Sequence, residues 1–289
     1  MDAPVIIVGS HRSGTSLLTR ILSEMGLFIG DVRDDNDEAW FFLELSNWML
    51  HQAGGWWDVP EQFLQYTTGE VRQRIVEYVQ YLLDSPRFAK YLEKKRYLKY
   101  QLGEDVETWG WKDPRNACTL DIWLTLFPDA KVIHIKRHGV DVAWSLHRRA
   151  IANKDSGIER FDHLMDRFGA LYWLKLKEEG FGGSTRCHSL EGAFDLWTTY
   201  VEAAAETVHR HTPSLTIRYE HLLTEPRQVI PSIADFCGLT LPSSLTPTVA
   251  ELDPSRACAF SRHDALVDFA RGVEEELRNH EYSPDCEYV

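Results

Sequence analysis

The sequence predicts an α/β protein with a central parallel sheet and helices on both faces. Val5–Val8, Lys131–Arg137 and Ser214–Glu220 are short apolar, β-branched runs, the composition of buried strands. Each is followed by a loop and then by apolar residues at helical spacing, the alternation of a doubly wound sheet. The chain has 289 residues, 44% of them hydrophobic, so it can bury a full core and is expected to form one domain over 1–289. Its formal net charge of −13 argues against a non-specific nucleic-acid binder and makes any basic cluster informative.

The first strand breaks at Gly9, and Leu17, Leu18, Ile21, Leu22 and Met25 then mark one face of a helix over Ser16–Met25. The loop between them leaves backbone N–H groups at a helix N-terminus, a setting for a phosphate-like anion. Arg12, Ser13, Thr15 and Ser16 add donors. Gly9–Ser16 fits the pattern GxxxxGK[ST] except that Thr15 stands at the lysine. That lysine normally meets the β- and γ-phosphates of a nucleoside triphosphate, so its absence argues against an ordinary ATPase or kinase. Arg12 supplies the positive charge instead.

Asp31–Glu44 is acidic and reads as a solvated loop and helix start. Trp40, Leu43, Asn47 and Leu50 suggest a helix ended by Gly54-Gly55, before an aromatic-rich turn at Trp56–Pro60. Val71–Leu83 is amphipathic. Thr108–Arg115 reads as a short strand running into a polar loop, because Pro114 cannot continue a central strand. Leu120–Phe127 is a short helix before the strand at Lys131–Arg137. Val140 to about Ile151 is the next helix. Residues 151–189 are expected to be a helical insertion or lid, with Phe161, Phe168, Tyr172 and Trp173 and a break at Gly180–Gly183. Leu190–His209 is a helix, Ser214–Glu220 a strand and Pro226–Cys237 a helix. Asp253–Asp264 is polar, and a last helix spans about Ala265–Asn279.

Lys131, Lys136, Arg137, Arg148 and Arg149 against Asp141 alone form a basic island in an acidic chain. Ser145 and Arg149 lie four residues apart on one helix face, so Arg137, Ser145 and Arg149 can converge on a second anion. The five cysteines are scattered without a CxxC pair, so neither a zinc site nor a disulfide framework is expected, and a reducing cytoplasm fits best. No signal peptide and no apolar run long enough to span a bilayer is visible.

Two anion sites on two strand–helix units suggest a nucleotide phosphorylated at both ends. Gly9-Ser-His-Arg-Ser-Gly-Thr-Ser-Leu-Leu resembles the 5′-phosphosulfate loop of PAPS-dependent sulfotransferases. Lys131-Val-Ile-His-Ile-Lys-Arg-His-Gly-Val-Asp-Val-Ala-Trp-Ser resembles their 3′-phosphate motif, with Arg137 followed eight residues later by Ser145. Trp111-Lys-Asp-Pro-Arg is similar to a lysine-containing segment of the tyrosylprotein and bacterial branches. Ile217-Arg-Tyr-Glu-His-Leu-Leu-Thr-Glu-Pro resembles their strand–turn–helix after the helical insert.

The resemblance implies a P-loop-NTPase-like sulfotransferase fold and 3′-phosphoadenosine 5′-phosphosulfate (PAPS) as co-substrate, with the bisphosphate PAP as product. It implies a 5′-phosphate site at His11, Arg12, Ser13, Gly14, Thr15 and Ser16. Arg137, Ser145 and Arg149 would hold the 3′-phosphate, with Arg256 or Arg262 closing over that phosphate, and Tyr219 would border the adenosine. Arg12 and Lys112 would meet the bridging oxygen and the sulfuryl group. The scheme requires no metal, and no metal-ligand cluster is visible. The general base is expected shortly after the first helix. Many bacterial relatives place a glutamate where this chain has Phe42, so Glu38 is the first choice, then Asp37 and Glu44, with His51 last. The acceptor is expected to be a small molecule or saccharide, with Trp40, Trp56 and Trp57 as aromatic platforms. A nucleotide kinase and a non-catalytic PAP-binding relative are the alternative readings.

Overall fold

A computed structural model describes residues 3–104, 107–169, 183–241 and 247–286. Four parallel strands, β1 (Val5–Val8), β2 (Gly110–Lys112), β3 (Lys131–Lys136) and β4 (Ser214–Arg218), pair in the order β2-β1-β3-β4. Ile6 lies opposite Trp111 on one side and Val132 on the other. Successive side chains of a strand face opposite ways, and this divides the core in two. Val5, Ile7, Ile133, Ile135 and Ile217 pack with α1 (Thr15–Glu24) and α10 (Pro226–Cys237). Ile6, Val8, Trp111 and Val132 pack with α2 (Trp40–His51), α4 (Gly69–Leu83), α6 (Asn116–Leu126) and α8 (Leu190–Val208). A sheet covered on both faces explains why β1 is an unbroken apolar run.

Several boundaries differ from the sequence reading. Tyr219 and Glu220 do not extend β4 but open a short helix, α9 (Tyr219–Thr224). The helix after β3 runs unbroken as α7 (Gly139–Phe168). Ile151, Lys154, Gly157, Phe161 and Leu164 are half-buried at helical spacing, so the amphipathic pattern continues through the expected start of the insertion. Tyr172, Trp173 and Gly180–Gly182 lie outside the described residues. The last helix is two, α11 (Asp264–Gly272) and α12 (Glu274–Asn279), interrupted by non-helical backbone at Val273. Helices α3 (Glu61–Tyr66) and α5 (Ala89–Gln101) were not anticipated. In α5 the buried residues are Tyr91 and Leu92 alone, too few to mark a period.

The expectation of no disulfide is corrected. The C-terminal segment folds back so that Cys286 pairs with Cys258, their Cα atoms 6.1 Å apart, while Cys118, Cys187 and Cys237 stay as buried thiols. The two partners are 28 residues apart and share no spacing motif, so the pairing follows from where the tail docks. Among the described residues, no helix is long and apolar enough to cross a membrane.

Candidate functional site

The site forms at the C-terminal ends of the strands, where each strand hands over to a loop or helix. After β1 the loop is pressed onto β3: a Cβ on Gly9 would fall 2.6 Å from the Ile135 carbonyl oxygen. Ser13 is buried, and both its backbone N–H and its hydroxyl donate to the Ser10 carbonyl, at 3.2 and 2.7 Å. Its side chain braces the loop and does not line the cavity. The turn forces positive φ on Arg12 (68°) and Gly14 (97°), and a Cβ on Gly14 would lie 2.3 Å from the Tyr219 ring. Gly14, Thr15 and Ser16 then line a cavity at the start of α1, where first-turn N–H groups have no intrahelical acceptor.

Two adjoining cavities, of about 520 and 680 Å³, share Arg12, Arg137, Arg149, Tyr219 and Arg256 as walls. Arg12 Nε donates to Ser145 Oγ at 2.9 Å. Arg137 donates to the carbonyls of Arg12 (3.2 Å) and Arg256 (3.3 Å), pairs with Asp141 at 3.3 Å and lies 4.5 Å above the Tyr219 ring. The Arg149 guanidinium lies 5.3 Å from the centre of the Trp57 ring. Burial lowers the pKa of both Arg12 and Arg149, and Arg149, Arg137 and Arg256 lower that of Arg12 further. Crowded, partly desolvated guanidiniums of this kind favour a multiply charged anion. Arg256 borders both cavities, whereas Arg262 borders the second alone.

The loop before α2 reaches over this anion site. The Asn36 carbonyl accepts from Ser16 Oγ at 2.7 Å and from Lys112 Nζ at 2.5 Å. Lys112, only 1% exposed, also pairs with Glu38 Oε1 at 3.1 Å. Arg115 grips Glu38 Oε2 at 2.6 Å, Asp113 Oδ1 at 2.7 Å and Asn47 Oδ1 at 2.6 Å. Burial and the nearby Asp113 push the Glu38 carboxyl up to about 7, against the opposing pull of Lys112 and Arg115.

Of the four base candidates, Glu38 alone lines a cavity of this site. Asp37 pairs with Arg20 (3.6 Å) and Arg33 (3.7 Å), Glu44 with Lys90 (3.9 Å), and His51 stacks on Trp56 with ring centres 4.7 Å apart. Phe42 is buried and stacked on Trp111 at 3.9 Å, a core position. His11 borders the first cavity, edge-on to Trp57 (4.9 Å) and Tyr200 (5.2 Å), and burial with the neighbouring Arg115 and Arg149 holds its pKa well below the usual histidine value. Among the expected aromatic platforms Trp57 borders the site, while Trp40 and Trp56 are exposed elsewhere. Arg115 is a residue of this site that the sequence motifs do not single out. Its signal was its place three residues after Lys112, across Pro114.

The profile of the Sulfotransferase family matches residues 4–243. The chain belongs to this family. An uncharacterized protein of Aquifex aeolicus (strain VF5) is 27% identical to this sulfotransferase-family chain over 252 residues, covering 82% of the chain and 25% of that protein. The chain thus spans about a quarter of that relative's length. The sulfotransferase domain from the curacin biosynthetic pathway matches at a TM-score of 0.48 and 19% identity, covering 94% of this chain and 91% of that one. The sulfotransferase from Alicyclobacillus acidocaldarius matches at 0.47 and 16%, covering 97% and 96%.

Proposed function

We propose that this protein transfers the sulfuryl group of PAPS to a hydroxyl or amine of a small-molecule or saccharide acceptor. The observation that carries the reading is the shared arginine wall: Arg12, Arg137 and Arg149 border both cavities, so one ligand charged at both ends can bridge them. The N–H groups of Gly14, Thr15 and Ser16 hold the 5′-phosphate, with His11 and Arg12 beside it. Arg137, Ser145, Arg149 and Arg256 hold the 3′-phosphate, and Tyr219 borders the adenosine. The missing Cβ of Gly14 supports this fit in another way: it lets the Tyr219 ring pack directly on the 5′-phosphate loop, so the adenosine-side residue adjoins that loop.

The acceptor oxygen attacks sulfur in line with the leaving 5′-phosphate oxygen. The Glu38 carboxylate takes the acceptor proton as the new S–O bond forms. The old S–O bond breaks, and its electron pair passes to the phosphate oxygen. Charge develops there, and Lys112 and Arg12 stabilise it.

Thermal shift with PAP and with ATP–Mg²⁺ tests the donor. PAP at one hundred times its dissociation constant is expected to stabilise the protein by about 2.7 kcal/mol, and ATP–Mg²⁺ by much less. A larger shift with ATP–Mg²⁺ would sink the reading. In a screen of labelled PAPS against saccharides and phenols, Lys112→Ala is expected to lower transfer by about 10²–10³-fold.

A further inference from the structure

Glu38 is held by two cations of different kinds. Lys112 has a flexible stem, and its two partners, the Asn36 carbonyl and Glu38, both belong to the loop before α2. The reaction proposed above puts Lys112 at the leaving phosphate oxygen, and to reach it Lys112 must turn away from Glu38. Arg115 has no such freedom. Its Nε and backbone N–H both bond Asp113 Oδ1, at 2.7 and 2.9 Å. One Nη is fixed to Asn47 on α2 and the other to Glu38, each at 2.6 Å. Asp113 is fully buried, so the fork is anchored from behind. A planar guanidinium with three fixed arms cannot follow a ligand without breaking bonds to two other elements.

We propose that Arg115 is the positioning residue of the general base: it favours the ionised form of Glu38 and keeps it aimed into the cavity while Lys112 exchanges from Glu38 to the leaving oxygen. Loading of the donor then releases the carboxylate oxygen that Lys112 had covered, and that oxygen is free to accept the acceptor proton. No bond to the Arg115 guanidinium is made or broken in the step. This inference rests on the sulfuryl-transfer reading. The charged groups facing Glu38 are Lys112 and Asp113 from the β2 end, Arg115 at the start of α6, Asp34 from its own loop and Arg149 from α7. Arg115 and Lys112 are the two in direct ionic contact with it.

The test compares wild type, Arg115→Met and Arg115→Lys, with Glu38→Gln as reference. The Glu38 carboxyl is titrated by ¹³C NMR, its signal identified by its loss in Glu38→Gln, with and without PAP. Hydrolysis of PAPS, with water as acceptor, is followed against pH. Arg115→Met is expected to raise the proton affinity of Glu38 by about 10–1000-fold. The acid limb of kcat should move by the same amount, with KM for PAPS within about twofold of wild type. Arg115→Lys keeps a charge but loses the fork, so it should fall between the two. An unchanged Glu38 titration in either folded variant overturns the inference, even if melting temperature falls, because support of the fold alone would not move a titration. If Arg115→Met does not fold, Arg115→Lys decides. Failure of PAP to bind wild type would defeat the functional reading, while the Glu38 titration of the free protein would still decide the role of Arg115.

Discussion

Gly14 shows what one residue can carry. Its φ of 97° lies in the left-handed region, and the Tyr219 ring occupies the place of a Cβ. Gly14→Ala is expected to destabilise the protein by about 1–3 kcal/mol and to weaken PAP binding, measured by denaturant melts and calorimetry. Made in a Tyr219→Ala background, the same substitution should lose only the cost of the φ. The base shows the limit of reading residues one at a time. Glu38, Asp37, Glu44 and His51 are all plausible donors of a carboxylate or imidazole near the first helix. Phe42 fills a core position against Trp111, and a carboxylate four residues earlier, just before α2 begins, faces Lys112 instead. Which of these side chains meets Lys112 is settled by a contact 74 residues long in sequence.

At the scale of elements, the tail is tied to the site through α7. Asp141, buried in the first turn of that helix, accepts the backbone N–H groups of Ala259 (3.1 Å) and Phe260 (2.8 Å) and pairs with Arg137. The segment it anchors carries Arg256 and the Cys258–Cys286 bond. Asp141→Ala leaves the buried Phe260 N–H and the half-buried Ala259 N–H without an acceptor, a loss of about 1–3 kcal/mol. It should also expose residues 253–263 to limited proteolysis and weaken PAP binding. A tail as protected as in wild type, with unchanged affinity, would refute this. In the sequence Asp141 is merely the odd acid among basic residues. Its role comes from docking a segment more than a hundred residues away. The length of α7 was legible in principle, since its half-buried positions keep the helical period.

For the molecule as a whole, buried histidines weaken the fold in acid, and His134 and His138 show the size of the effect. Burial, with Lys136 nearby, lowers the His134 pKa to about 3. Burial lowers that of His138 to about 4, although its contact with the Ser283 carbonyl opposes this. Both folded values lie below the ordinary value near 6.5, so the unfolded chain binds more protons in acid. Their contribution is complete above about pH 6.5 and is lost as pH falls toward 4, at about 2 kcal/mol each by pH 5. Glu38 and Glu220, both raised by burial, act in the opposite sense. The clean measurement is therefore a difference: His134→Gln should lose less melting temperature than wild type between pH 7 and pH 5. An equal loss in both would remove His134 from this account.

By itself the sequence determined the α/β class, the strand–loop–helix units and the two arginine-bearing loops, because these rest on periods and spacings within a few turns of chain. The tertiary structure alone decided which carboxylate meets Lys112, that Arg115 grips it, where the tail docks and which cysteines pair. These depend on side chains brought together across the ends of separate strands, such as Arg115 and Glu38, 77 residues apart. No local period records such a meeting, because its energy comes from desolvation and charge pairing that exist only once the sheet has assembled.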